Sequence, residues 1–284
     1  HTVSHYRALM RGVLGDLGKI PFAQLDKESV NTWYSSRVRQ GKVTTASKGY
    51  KLLKSMCDWA IENSLVEHNP CDIKGAQTAT SGKVVNVPTA EDVRRIALAM
   101  PEELAFSVVL AAYAGLRFGE LMELRRRDLI FSSQKGVERM QVSVSRSVSW
   151  YDNGFHVGPP KSKASVRTID VTKALIPEAK KHLSEFVAKN PDALLFSDSV
   201  PGVHLRHDKF IRPWRKANLV AGIAGRNFTP HSLRHFGATN LVRSGATLPD
   251  LKLWLGDSST EAVTRYLHAS DRQKSIADLM EFVD

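Results

Sequence analysis

Apolar residues in the first quarter of the chain recur at the three- and four-residue spacing that places them on one face of an α-helix. The pattern predicts helices over residues 3–17, 27–38 and 45–60, and Pro21 follows the first of them. Three or four helices are therefore predicted to fill residues 1–74 as a first, helical domain.

A stretch without apolar periodicity follows at residues 75–88, and it is rich in small and polar residues. This composition is typical of an exposed linker. Thr89 is the predicted N-cap of the next helix, because Glu91 and Asp92 follow it and their carboxylates suit the positive end of a helix dipole. A second domain is thus predicted over residues 89–284.

The second domain combines two periodicities. A buried helix is predicted over residues 105–114, broken by Gly115, with a short helix over 118–125 after it. Valine and isoleucine then alternate with polar residues between positions 128 and 171, which predicts a small antiparallel sheet. The predicted fold class is mainly α with this small sheet. Helical spacing returns over residues 175–187, 203–216, 231–244, 248–255, 260–267 and 271–282.

The charge of the chain narrows the class of partner. Lysine and arginine number 40 against 29 acidic residues, a formal net charge of +11. This surplus favours a polyanion, either nucleic acid or an acidic membrane face, because counterion release adds affinity for phosphates. The longest apolar run, residues 105–116, is too short to cross a bilayer core of roughly 30 Å. A soluble, cytoplasmic protein that does not insert into a membrane is expected.

Cysteine usage and the first residue add two expectations. Cys57 and Cys71 form neither a CxxC pair nor a zinc-type cluster, so no metal site and no disulfide are expected, and a reducing compartment fits. The sequence opens on His1 without a signal-peptide pattern, which predicts that it is part of a longer chain with a further N-terminal segment.

Three short motifs carry residues suited to phosphoryl transfer. Ala-Gly-Leu-Arg-Phe-Gly-Glu occupies 114–120, Thr-Pro-His-Ser-Leu-Arg-His occupies 229–235 and Thr-Arg-Tyr-Leu-His occupies 264–268. Each alone also fits a structural role, such as a helix start or a packing tyrosine. In this order, with Leu255-Gly256 before the last, they resemble the tyrosine recombinase (phage integrase) family. The helical half resembles that family's core-binding domain at Leu25, Trp33, Gly41, Thr44, 59–61, Asn69 and Pro70.

The resemblance implies a site-specific recombinase of a phage or other mobile element that cuts and rejoins DNA without metal or cofactor. Arg117 and Arg234 match the two arginines that hold the scissile phosphate, where negative charge accumulates during transfer. Tyr266 matches the nucleophile, which forms a covalent 3′-phosphotyrosyl link. His231 and the arginines would help to ionise it, and Glu120 matches an acidic residue that supports the site.

In the family, a lysine on a β-hairpin donates the proton that the leaving 5′-oxygen needs. Residues 160–167 resemble that hairpin. Lys161, the first lysine of the segment, is the better match, and Lys163 is the alternative. A basic turn that touches only solvent or DNA phosphates is the structural interpretation of both.

One position departs from the family pattern. Asp257 follows Leu255-Gly256, where the family usually has His or Trp. An ionised aspartate repels a phosphate and cannot donate a hydrogen bond to it, so Asp257 is expected to be protonated, to be turned away or to lower activity. His235 or His268 can compensate, although a structural role for both is the alternative.

The resemblance also implies partners. A two-domain clamp on duplex DNA is expected, with a homotetramer on paired sites and accessory DNA-bending proteins. The tail, residues 268–284, is expected either to dock on a neighbouring subunit or to pack on its own. A DNA-binding protein without catalysis and a topoisomerase remain as alternatives. The expected DNA contacts, which can also be explained as a solvated face, are Arg7, Arg11, Arg37, Arg39, Lys42, Lys48, Lys51 and Lys163.

Overall fold

The computed structural model describes residues 2–79, 86–160, 162–258, 260, 263, 264 and 266. The chain divides into two compact units, residues 1–84 (the first unit) and 85–284 (the second unit). Both ends of the predicted linker pack on the unit beside them. Ala76 is buried in the core of the first unit, and Asn86 Nδ2 donates to the Arg226 carbonyl of the second at 2.9 Å.

Helices α1 (Thr2–Gly12), α2 (Lys27–Arg39) and α3 (Val43–Glu62) form most of the described part of the first unit. Helix α2 begins where the sequence predicts, because the Asp26 side chain caps it by accepting from the Ser29 N–H at 2.8 Å. The apolar faces of the three helices meet in one core. Its buried side chains include Leu9, Leu14, Leu17, Val30, Trp33, Tyr50, Leu53 and the free cysteines Cys57 and Cys71.

Helix α1 is shorter than predicted, since it ends at Gly12 and not near residue 17. The reason lies in the neighbouring helix. The Val13 carbonyl accepts from Trp33 Nε1 at 2.9 Å and from Arg37 Nη2 at 3.0 Å, so side chains of α2 satisfy the end of α1. Leu17 is still buried, but in a separate 3₁₀ turn. Hydrophobic spacing alone cannot distinguish these two arrangements.

Helices of the second unit lie where the pattern predicts, except that the helix predicted over 203–216 spans His207–Val220, because His204 before it forms a β-bridge with Ser197. Thr89 caps the first of them in a capping box with Asp92. Residues 260, 263, 264 and 266 are also helical, whereas the predicted helix 271–282 and the tail lie outside the described residues. In the described part of the chain, no helix is long and apolar enough to cross a membrane. The helices are α4 (Ala90–Ala99), α5 (Glu102–Ala114), α6 (Phe118–Glu123), α7 (Ile176–Glu185), α8 (His207–Val220), α9 (Pro230–Arg243) and α10 (Leu248–Leu255).

The strands of the second unit form two antiparallel sheets where the sequence predicts one. They are β1 (Leu129–Gln134), β2 (Val137–Val144), β3 (Ser147–Tyr151), β4 (Gly154–Gly158) and β5 (Arg167–Val171). Strands β1, β2 and β5 pair in that order, whereas β3 and β4 form a separate hairpin. Its turn, at Asp152 and Asn153, has the positive φ angles of 47° and 59° that short hairpins require. Val166 lies outside the strands and is exposed.

Helix α5 is the centre of the second unit, and it packs against α4 and α9. Nine of its 13 residues are buried, as the apolar sequence after Glu103 predicts. Gly115 ends it with a φ of 57°, and a β-carbon there would lie 2.3 Å from the ring of Trp254. Only glycine fits this break. The chain then turns directly into Arg117 at the start of α6.

Candidate active site

Arg117 lies at the break between α5 and α6, where it is fixed by several acceptors. Its backbone N–H and its Nη1 donate to the two carboxylate oxygens of Glu120, at 3.0 and 2.7 Å. Nη1 also donates to Ser165 Oγ at 3.2 Å, and Nη2 donates to the Gly256 carbonyl at 3.3 Å. With 32% of the side chain exposed, the guanidinium is held in place but still accessible to a ligand.

Arg234 lies in the first turns of α9, whose start is set by Pro230 at the first helical position. Its side chain is 2% exposed. Nη1 donates to the Gly115 carbonyl at 2.5 Å and Nη2 to the Leu255 carbonyl at 2.8 Å. Burial lowers the pKa of Arg234, and the charge of Arg117 lowers it further. A guanidinium nevertheless stays charged at neutral pH, because its ordinary pKa is above about 12.

The end of α10 brings these arginines together. Its last carbonyls, at the negative end of the helix dipole, each accept from a different guanidinium. The Trp254 carbonyl accepts from Arg167 Nε at 2.9 Å, beside the bonds of the next two carbonyls to Arg234 and Arg117. Gly256 has a φ of 62°, and a β-carbon there would lie 2.9 Å from Ser165 Cα. The glycine of the Leu-Gly pair is therefore required by the backbone.

Asp257 joins the two candidate catalytic arginines. One of its carboxylate oxygens accepts from Arg117 Nη2, and the other accepts from Arg234 Nη2 at 2.7 Å. Burial would raise the pKa of Asp257, but the two guanidiniums hold that pKa below its ordinary value. The carboxylate is therefore ionised at neutral pH and faces the arginines. Without DNA it is thus neither protonated nor turned away from the arginines, whereas its state beside a bound phosphate and the lowered activity stay predictions.

Arg167 completes the cluster, although no motif in the sequence marks it as a site residue. Its side chain is 2% exposed, and Nη2 donates to Glu120 Oε2 at 3.0 Å. Burial would raise the pKa of Glu120, whereas Arg167 and Arg117 hold that pKa below its ordinary value. The signal in the sequence was an arginine at an inward position of β5, in phase with Ile169. We refer to Arg117, Arg167, Arg234, Glu120 and Asp257 as the arginine cluster.

Two histidines of α9 lie between the start of that helix and the predicted nucleophile along a series of ring contacts. His231 is exposed, three residues before Arg234 on the same helix. Its ring centroid is 4.7 Å from that of His235, which in turn is 5.4 Å from that of Tyr266. Tyr266 is 7% exposed and packs in a small core with residues of α9 and α10, including Val242. The His235 ring thus contacts the rings of both His231 and Tyr266. His268 lies outside the described residues.

The segment predicted to be a lysine-bearing hairpin has a different structure. Strand β4 pairs with β3 and β5 pairs with β2, and between them Lys163–Ser165 forms a single 3₁₀ turn. Ser165 Oγ fastens this turn by donating to the Gly256 carbonyl at 2.9 Å. Lys163 is exposed on the turn, and Lys161 lies outside the described residues. The prediction of a β-hairpin is therefore wrong for residues 162–166. The roles of both lysines stay predictions.

The basic residues predicted to contact DNA differ in the solvent exposure of their side chains. Arg37 is engaged within the first unit, where Nη2 donates to the Val13 carbonyl at 3.0 Å and lies 3.8 Å from Asp16 Oδ2. The others project into solvent. Exposed in the first unit are Arg7, Arg11, Arg39, Lys42, Lys48 and Lys51.

Comparison with known sequences identifies relatives over most of the chain. Residues 87–273 match the model of the phage integrase family. The prophage phiRv2 integrase of Mycobacterium tuberculosis is 34% identical over 282 residues, which cover 98% of this chain and 73% of that protein. The integrase of Mycobacterium phage FRAT1 is 30% identical over 280 residues, covering 98% of this chain and 80% of the phage protein.

Solved structures with the same fold include integrase complexes. The Tn1549 transposon integrase, in complex with a circular intermediate DNA, matches with a TM-score of 0.78 and 20% identity over 96% of this chain and 91% of that chain. Lambda integrase, as a dimer bound to a core site, matches with a TM-score of 0.67 and 17% identity over 100% of this chain and 92% of that chain. With the family model spanning well over half of the sequence, this chain belongs to the phage integrase family of tyrosine recombinases.

Proposed function

We propose that this tyrosine recombinase performs site-specific recombination at the arginine cluster, through a covalent 3′-phosphotyrosyl intermediate at Tyr266. The observation that carries the proposal is the convergence of Arg117 and Arg234 on one anion, the carboxylate of Asp257. Phosphoryl transfer without a metal needs fixed positive charge at the non-bridging oxygens, because negative charge accumulates there in the transition state. Two guanidiniums held by backbone carbonyls meet that need.

Each remaining group has one task in the proposed reaction. The Tyr266 phenol oxygen attacks phosphorus, a phosphotyrosyl bond forms, and the bond to the 5′-oxygen of the next nucleotide breaks. His231 assists removal of the phenol proton, while Lys161, with Lys163 as the alternative, protonates the departing oxygen. The 5′-hydroxyl of a second strand then attacks the phosphotyrosine. Bond energy is conserved, so the exchange requires no nucleotide hydrolysis.

The proposed substrate is duplex DNA carrying paired recombination sites. Two structural neighbours are integrases bound to DNA, the Tn1549 integrase to a circular intermediate DNA and lambda integrase to a core site. The net charge of +11 supports the same substrate. We extend this proposal to a homotetramer assembled on two sites with accessory DNA-bending proteins. The reaction would take place in the cytoplasm of the host cell, where such DNA resides. The proposed division of labour is DNA binding by residues 1–74 and catalysis by residues 89–284.

Covalent trapping tests the chemistry. Duplexes that bind the protein would first be selected from a random pool. A nick close to the cleavage site would let the short strand released by cleavage diffuse away, so the strand cannot be rejoined and the protein stays joined to DNA. We expect the native chain to form an adduct that survives denaturation and Tyr266→Phe to form none. Tyr113→Phe removes a hydroxyl from another ring of the second unit, one that packs edge-on against Phe236, and should still form the adduct. An adduct with Tyr266→Phe, or none with the native chain, would contradict the proposal.

A further inference from the structure

The carboxylate of Asp257 lies between the two candidate catalytic arginines and accepts a hydrogen bond from each. Its two oxygens bridge two different guanidiniums, as two non-bridging oxygens of a phosphodiester would bridge them in the proposed reaction. The carboxylate and the scissile phosphate therefore require the same Nη2 atoms. We propose that Asp257 is an internal substitute for the scissile phosphate, which occupies the arginine cluster until DNA displaces it. This inference rests on the proposed function, because it assigns the phosphate to those arginines.

Other acceptors keep the arginines in place when the carboxylate leaves. Arg117 retains its bonds to Glu120 and Ser165, and Arg234 retains the Gly115 and Leu255 carbonyls. Asp257 is thus one partner that can be exchanged without dismantling the site. The arginines are arranged in advance of the substrate, and the aspartate fills the position that the substrate would take.

The two carboxylates of the cluster differ in their freedom to move. Glu120 is 1% exposed and bonded to two arginines, so it cannot leave. The Asp257 side chain is 28% exposed and has a path to solvent. The backbone of Asp257 is fixed, because its N–H donates to the Lys252 carbonyl at 3.2 Å beyond the end of α10. Rotation of the side chain alone therefore opens the site.

Charge favours occupation of the site by an anion. Three guanidiniums and two carboxylates leave the cluster with one net positive charge, and removal of Asp257 leaves two. The aspartate is ionised at neutral pH because Arg234 and Arg117 lower its pKa against the effect of burial. Because Asp257 is part of the chain, it competes with every added anion. The apparent affinity for that anion equals the intrinsic affinity multiplied by the fraction of molecules in which Asp257 has left the site. The native chain should accordingly bind a phosphate-like anion weakly.

Titration with tungstate, a tetrahedral oxyanion, tests the inference without DNA. Calorimetry on the full DNA-free chain would compare the native protein with Asp257→Asn and with Asp170→Asn. The second variant also removes one negative charge, but at an exposed position of β5 where Asp170 bonds Gln141. We expect Asp257→Asn to bind tungstate about tenfold more tightly than the native chain. Asp170→Asn should match the native chain, and adding Arg234→Lys to Asp257→Asn should remove the gain.

The outcomes separate this inference from the proposed function. Equal tungstate affinity of the native chain and Asp257→Asn, both folded by their thermal unfolding curves, overturns the inference whether or not the DNA adduct forms. Asp257→Ser provides the same comparison if the amide variant fails to fold. Absence of the Tyr266 adduct overturns the proposed function whatever the tungstate affinity. A gain that Arg234→Lys does not remove places the anion elsewhere and also overturns the inference.

Discussion

Three surface arginines of the first unit and two buried arginines of the second have opposite environments. In the first unit, Arg7, Arg11 and Arg39 project into solvent from α1 and α2. In the second unit, Arg167 and Arg234 are each 2% exposed and donate to carbonyls at the end of α10. The same side chain is thus a mobile charge in one region and an oriented donor in the other.

This difference separates two ways of recognising a phosphate. An exposed arginine contributes charge, which salt screens and which a lysine supplies equally well. A fixed guanidinium contributes direction as well, since its planar fork can hold two oxygens at once. The comparison therefore predicts that variants of the second unit change rate or stability, whereas variants of the first unit change affinity and its dependence on salt.

The largest expected effect comes from the same conservative substitution made in each region. Arg234→Lys keeps the charge but loses the fork that serves Gly115, Leu255 and Asp257 together. We expect the single-turnover rate of DNA cleavage to fall about 100- to 1000-fold. Arg39→Lys, on the surface of α2, should leave that rate unchanged. Equal effects of the two substitutions would contradict the distinction between fixed and mobile arginines.

A large effect on stability is expected from Arg167→Met. The substitution leaves Glu120 buried without one of its two guanidinium partners. Breaking a buried ion pair typically costs about 3–5 kcal/mol, since one charge remains uncompensated. Chemical denaturation of the native chain and the variant measures this loss. Adding Glu120→Gln should restore part of the stability, and a double variant no more stable than Arg167→Met would contradict the explanation.

The pH dependence of stability sharpens the same prediction. Because Arg167 and Arg117 hold the pKa of Glu120 below its ordinary value, its contribution is complete above the unfolded pKa of about 4.3. That contribution is lost as pH falls through the lower folded pKa. Asp257 contributes with the same sign. Arg167→Met should therefore lose less stability than the native chain when acidified from neutral pH to below about 4.

Local patterns predicted much of the fold, and long-range contacts explain what they missed. Helix α10 has its predicted bounds, because Thr247 caps it and Gly256 ends it, both within its own sequence. Helix α1 ends early because Trp33 and Arg37 of another helix donate to the carbonyl of Val13, the residue that follows it. The division of the strands into two sheets likewise depends on pairing between distant segments, which alternation of residues does not encode.

In the site, too, local motifs identified some residues, and long-range contacts determine the others. Motif resemblance named Arg117, Arg234, His231, Tyr266 and Glu120 as candidates, but it could not show what those side chains contact. Arg167 was missed because its partners, Glu120 and the Trp254 carbonyl, are 47 and 87 residues away. Asp257 was predicted to be protonated, turned away or harmful, since its position between two guanidiniums is a property of the fold.

A smaller effect is expected on the surface of the first unit, at Lys48 and Lys51. These exposed lysines lie one turn apart on α3, so both can neutralise phosphates of one DNA backbone. Replacing both by Gln should make the slope of log affinity against log salt shallower by about 1 for each lysine. Affinity should fall equally for cognate and unrelated duplexes, with the cleavage rate on saturating DNA unchanged.

Arg37→Gln is the matched contrast, because Arg37 donates to the Val13 carbonyl, and it should lower the stability of the first unit. If the lysine pair changed cleavage at saturation, or left the salt slope intact, the surface of α3 would not be acting as the mobile charge that the comparison requires.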